Sequence, residues 1–247
     1  MKKLKKVIRI LDRMEDTCCF VLCVLLFLIG LYALVDSYLV SQHANDTSLL
    51  KHKPGYETDD GRDIVGNMVA WLTVDDTNID YPVMQGENNE EYLNKDPYGD
   101  YALSGSIFLD FRNQADFTDP YSLIYGHHME GDYMFGSLHS FLEEDYFRKH
   151  KKGELIVGDT TYDLNIFAVM NTEATKDILF SPTEYAQKDV IGYIRGHAER
   201  CRKKVADQLS DSSQIVALST CKYPDSVYRV VVFAEMTNPH PTKTHDN

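Results

Sequence analysis

The sequence predicts a mostly β domain, built of eight short strands with helices inserted between them, behind an N-terminal transmembrane helix. Three observations predict it. An uncharged apolar run, Cys18 to Val35, stands near the N-terminus. After it come eight β-branched or aromatic runs of about strand length, separated by turn residues. A long amphipathic stretch then interrupts them just before a strand that ends on a cysteine. Many short strands with turn signals between them suggest a closed barrel or a sandwich.

The N-terminus sets the compartment. Residues 1–16 form a basic segment with six Lys or Arg against three Asp or Glu, a net +3. The anchor follows over residues 17–40, long enough at ~1.5 Å per residue to cover a hydrocarbon core of about 30 Å. Positive charge before the span predicts a cytoplasmic N-terminus and an extracellular remainder, a single-pass protein of the cell membrane. A cleaved signal peptide would have a shorter apolar region and a small-residue cleavage site, and Tyr32-Ala-Leu-Val-Asp-Ser37 offers none. With the whole chain at −13, the part beyond residue 16 carries −16. So acidic an ectodomain argues against nucleic acid as a partner and suits a soluble domain held at a surface.

Residues 41–63 are polar and read as an extracellular stalk or N-terminal helical region; residues 64–238 are enough for one domain with a sizeable core, leaving 239–247 as a C-terminal tail. The strands are expected at 69–74, 79–84 (Pro82 marking an edge or a bend), 105–110, 121–125, 154–157, 162–169, 215–220 and 228–236. Gly158-Asp159 signals a hairpin. One helical turn is expected at Asn89–Leu93 and a helix over Met134–Lys149. The longest helix is expected from the Ser181-Pro182 start to about Leu209, with Val190, Ile191, Ile194, His197, Cys201 and Val205 near three-to-four spacing.

Of five cysteines, Cys18, Cys19 and Cys23 fall in or beside the apolar run. An exported domain stabilised by disulfides normally carries more than the remaining two. Cys201 reads as incidental, inside the long helix, and Cys221 as a free thiol. Cys221 closes the run Ile215-Val-Ala-Leu-Ser-Thr220 and precedes a turn, Lys222 to Ser226, built on Pro224 and Asp225. A free cysteine is commonly a small buried hydrophobe, yet a strand end beside a loop is where functional groups are displayed. A nucleophilic cysteine needs a partner that makes it a thiolate, and donors for the developing oxyanion. His127, at the end of Ser122-Leu-Ile-Tyr125-Gly126, is the best-placed base; its neighbour His128 points elsewhere on extended backbone. Arg229 opens the strand after Cys221 and would add a permanent charge beside the thiol. A zinc site is disfavoured, because Cys221, His127, His128 and His139 lack the close ligand spacing such sites show.

These residues resemble a known signature. Tyr125-Gly-His127, Leu218-Ser-Thr-Cys221 and the downstream Arg229 are similar to the motifs of the sortases, cysteine transpeptidases of Gram-positive cell surfaces. The stretches Asn78-Ile-Asp-Tyr-Pro-Val-Met-Gln-Gly86, Gly105-Ser-Ile-Phe-Leu-Asp-Phe-Arg112 and Tyr125-Gly-His-His-Met129, with the long helix, most resemble the class B branch. The resemblance implies an eight-stranded β-barrel. It also implies that Cys221 attacks the threonine carbonyl of a C-terminal sorting motif in a secreted protein. The resulting thioacyl-enzyme would pass its acyl group to an amine of a peptidoglycan precursor or cross-bridge, or of a pilin lysine. His127 would move the proton and Arg229 would hold substrate and oxyanion. Asn89, Tyr125, Ser219 and Thr220 would line the substrate groove. Lys222 departs from the acidic residue relatives often carry there. No acidic cluster matches the calcium site of class A members, so no cofactor is expected, and a monomeric ectodomain is the default. Two alternatives stand beside this: an exported papain-like peptidase or amidase, and a non-enzymatic surface-binding domain.

Overall fold

A computed structural model of the chain describes residues 2–44, 47–55, 64, 66–221 and 227–243. The turn expected at 222–226 and part of the stalk lie outside the described residues, as does the side chain of Cys221. The chain forms two compact units, divided after His43. The first is made by helix α1 (Lys2–Ala44), whose Arg13–Tyr38 stretch is long and apolar enough to cross a membrane.

The second unit is built on nine strands: β1 (Met68–Val74), β2 (Asp80–Met84), β3 (Ile107–Leu109), β4 (Tyr121–Gly126), β5 (Lys152–Val157), β6 (Thr160–Glu173), β7 (Arg200–Cys201), β8 (Gln214–Cys221) and β9 (Tyr228–Pro241). They pair in the order β5-β1-β2-β3-β4-β8-β9-β6, and β6 pairs again with β5, closing an eight-stranded barrel. The hairpin signal at Gly158-Asp159 is the two-residue turn between β5 and β6, with Gly158 at φ 55°. Pro82 sits inside a paired strand, opposite Trp71, but β3 joins β2 only from Val83 onward, so its missing N–H leaves no ladder bond unmade on that side.

The continuous apolar runs of β8 and β9 follow from burial on both faces. Val216 and Leu218 of β8, with Val230 and Val232 of β9, belong to one buried cluster with Trp71, Leu72 and Phe135. The alternate residues Ile215, Ala217, Val231 and Phe233 pack with Leu179, Val190, Ile191 and Ile194 beneath the helices on the outer face. Two of those helices, α3 (Asp177–Phe180) and α4 (Gln187–His197), precede β7, and α5 (Lys203–Ala206) follows it; α2 (Glu144–Lys149) lies before β5.

The inserted helices differ from the sequence expectation. The long helix to Leu209 is instead α4, β7 and α5. The chain turns through 182–186 and begins to coil only after Ala186, and Ala198 is already extended. Arg200 and Cys201 then pair with Val169 and Ala168, covering part of β6 that β5 does not reach. Cys201 is therefore on a strand, a half-buried free thiol whose ionisation burial pushes up. The helix expected over Met134–Lys149 is a 3-10 helix, Gly136–Leu142, followed by α2, because Met134 takes φ 52° and Glu143 is extended. The turn at Asn89–Leu93 is held by Asn88, whose side-chain oxygen accepts from the backbone N–H of Glu90 (2.8 Å) and Glu91 (3.1 Å).

Candidate active site

Strand register brings the three expected catalytic positions to one end of the barrel. β4 and β8 run parallel, with Tyr125 opposite Ser219 and Gly126 opposite Thr220. His127 directly follows the end of β4, and Cys221 is the last residue of β8. β9 runs antiparallel to β8, and its second residue, Arg229, pairs with Cys221. Tyr125, Ser219 and position 221 share the outer-face alternation of Leu123, Ala217 and Ile215. Cys221 thus closes a strand, whereas a papain-like arrangement would open a helix on it.

A cavity of about 300 Å³ lies at this strand end. Six of the expected site residues line it: Asn89, Tyr125, His127, Ser219, Thr220 and Arg229. Leu93 and Phe108, with Ala174 at the end of β6 and Phe180 at the end of α3, complete an apolar wall. Sequence reasoning missed these four. Phe108 lies inside a quoted motif, but nothing local marks Ala174 or Phe180, which tertiary packing delivers from another part of the chain.

The imidazole of His127 donates from Nε2 to the backbone carbonyl of Leu93 at 2.7 Å. A carbonyl only accepts, so the proton of the neutral ring sits on Nε2, and Nδ1 is the nitrogen that can take another. Gly105, at φ 59°, lies close against the Leu93 carbonyl, and an added Cβ there would lie 2.5 Å from that oxygen. Gly126 is similarly enclosed: a Cβ there would meet Ile107 at 2.4 Å and Phe135 at 2.8 Å. The hydroxyls of Ser219 and Thr220 are buried, with no hydrogen-bond partner among the described residues. The Arg229 guanidinium is half-buried and donates to the Tyr228 carbonyl at 3.3 Å.

Behind the cavity wall stands a charged network. Asp110, wholly buried, accepts from Arg112 at 2.9 and 2.8 Å, from the Arg112 backbone N–H at 3.0 Å, from Asn89 at 2.9 Å and from the Tyr125 hydroxyl at 3.2 Å. Burial by itself would raise the Asp110 carboxyl, but the Arg112 and Asn89 bonds outweigh it and hold the group below the usual carboxylate range. Tyr125 is pushed far above the ordinary tyrosine range, first by burial and then by the Asp110 charge.

A closed eight-stranded barrel with histidine, cysteine and arginine gathered at one strand end defines a class of cysteine transpeptidases, and the comparisons agree. Residues 72–237 match the family model described as the sortase domain, and the chain belongs to the sortase family. Its relatives place it with class B. It is 36% identical over 156 residues to sortase B of Listeria monocytogenes, a match spanning 63% of each chain. A class B sortase of Streptococcus pyogenes involved in pilus biogenesis superposes with a TM-score of 0.64 at 40% identity, covering 70% of this chain and 94% of that one. The substrate complex of Staphylococcus aureus sortase B gives a TM-score of 0.64 at 28% identity, covering 71% and 82%.

Proposed function

We propose that this chain is a membrane-anchored transpeptidase that cuts a C-terminal sorting motif after threonine in secreted proteins and joins them to a cell-wall amine. The Cys221 thiol gives its proton to His127 Nδ1, the thiolate attacks the threonine carbonyl, and Arg229 stabilises the oxyanion. Collapse of the intermediate breaks the peptide bond and leaves a thioester on Cys221, while the departing amine takes its proton from His127 Nδ1. An incoming amine gives its proton to the same nitrogen, attacks the thioester and releases the thiolate with a new amide bond. The observation that best supports this reading is the β4–β8–β9 register, which brings positions 127, 221 and 229 to neighbouring strand ends, with His127 and Arg229 lining one cavity.

The partners follow the same reading. One relative is described with a bound substrate and another sortase B in complex with triglycine, which supports a sorting-motif peptide as acyl donor and a peptidoglycan precursor or cross-bridge amine as acceptor. The apolar Arg13–Tyr38 stretch of α1, with its basic N-terminal flank, supports a single-pass anchor, cytoplasmic N-terminus and extracellular catalytic domain.

Intact mass spectrometry on the full chain in detergent tests the reaction. The chain is mixed with peptides carrying Asn-Pro-x-Thr-like and Leu-Pro-x-Thr-Gly-like motifs. An acyl adduct absent from Cys221→Ala, and discharged by an added amine, is the expected result. No adduct with any peptide, beside a thiol inert to alkylation, would leave the surface-binding domain as the better reading.

A further inference from the structure

Asp110 and Arg112 touch the cavity only through other residues. Neither lines it, yet Asn89, Tyr125 and Phe180, which do, are each bonded to one member of the pair. Arg112 grips the carboxylate with its Nε and Nη2 donors, a fork geometry that lysine cannot reproduce, and Nη2 also donates to the Phe180 carbonyl at 2.6 Å. One ion pair, its carboxylate buried, therefore ties together the turn after β2, the end of β4 and the end of α3.

The polarity of these bonds is fixed. Asn89 Oδ1 accepts from the Phe111 backbone N–H at 3.0 Å, so its amino group must face Asp110, and the amide has no reason to flip. The amide is left with one uncommitted N–H. An ionised carboxylate has no proton to give, so the Tyr125 hydroxyl spends its only donor on Asp110 and keeps its lone pairs for the cavity.

We propose that Asp110, clamped by Arg112, is a positioning residue that sets the hydrogen-bond polarity of the groove wall, making Asn89 a donor and Tyr125 an acceptor toward the bound peptide. The proposal rests on the reading of this cavity as the sorting-motif groove. Asp110→Asn keeps the shape of the side chain but can donate as well as accept, so both wall residues are released to turn.

Two readouts test it, both on the full chain in detergent. The first is acylation by whichever panel peptide modifies the wild type. Asp110→Asn is expected to raise KM at least tenfold with kcat changed less than threefold, and its effect on KM is not to add to that of Asn89→Ala. The second, hydrogen–deuterium exchange, needs no reaction. Exchange is expected to rise in the segments 86–93 and 176–181 of Asp110→Asn while β8 and β9 stay protected. If Asp110→Asn does not fold, Arg112→Lys, which keeps the charge and loses the fork, is read in the same way. A lower melting temperature with unchanged KM, exchange that rises evenly over the barrel, or exchange that does not change would overturn the proposal. If the wild type takes no peptide, the transpeptidase reading fails, and the exchange pattern alone decides whether the pair holds the wall.

Discussion

His127 and His128 carry the same imidazole, and the end of β4 separates their surroundings. His127 lines the cavity and is oriented by Leu93, while the backbone of His128 bridges Met134 and its ring stands 6.2 Å from that of His139. That His128 would point elsewhere was legible from strand alternation alone. The hydrogen bond that fixes the His127 tautomer was not, because its acceptor is a main-chain carbonyl, which any residue type supplies. A proton shuttle held this way predicts that His127→Ala lowers kcat/KM by roughly 10²- to 10⁴-fold, measured as amine-dependent peptide transfer, with little change in melting temperature. Near-wild-type turnover in that variant would remove His127 from the mechanism.

Among elements, the segment joining β2 to β3 acts as the support of the imidazole. Asp96 accepts from the backbone N–H of Tyr98 and Asp100, the Ser106 hydroxyl donates to the Lys95 carbonyl, and Gly105 lies against Tyr92 and Leu93. Gly105→Ala puts a methyl group where the Leu93 carbonyl stands and forces a strained φ. Turnover is expected to fall roughly 10- to 100-fold, since small misplacements of a reacting group are costly; the check is a steady-state comparison with the wild type. Helix α4 shows the opposite case, an element whose loss is purely structural. Gln187 donates to the Pro120 and Ser213 carbonyls at 2.9 Å each, and Gln187→Ala should destabilise the fold by about 1–3 kcal/mol with kcat/KM intact. Thermal unfolding and kinetics together separate the two. The strands were legible because period-two alternation and β-branched runs report directly on the sheet. The long helix was misread because apolar spacing continues in phase through Cys201 and Val205, while the competing partner, the open side of β6, is remote in sequence. Arginines complete that rearrangement: Arg200 donates to the Leu142 carbonyl and pairs with Glu144, and Arg202 donates to the Phe147 and His150 carbonyls.

For the molecule as a whole, the buried Asp110 carboxylate and its Arg112 partner link stability to pH. The Asp110 carboxyl is lower in the folded state than in the unfolded chain, where it titrates near about 3.9. Its contribution is therefore complete above the unfolded value and is lost as pH falls through the folded one. The gap in melting temperature between wild type and Asp110→Asn should be widest near neutrality and narrow below about pH 4. A gap that is constant across this range would show that the carboxylate charge is not what stabilises the pair.

The parallel pairing of β4 with β8 has a consequence for biogenesis. A parallel pair cannot form as a local hairpin; it must wait for the crossover between its strands to be made and folded. The ends of β4 and β8, and with them positions 127 and 221, therefore stay apart while the later strands are still unpaired. A partly folded chain therefore cannot carry out transpeptidation, so enzymatic activity serves as a report that the barrel has closed.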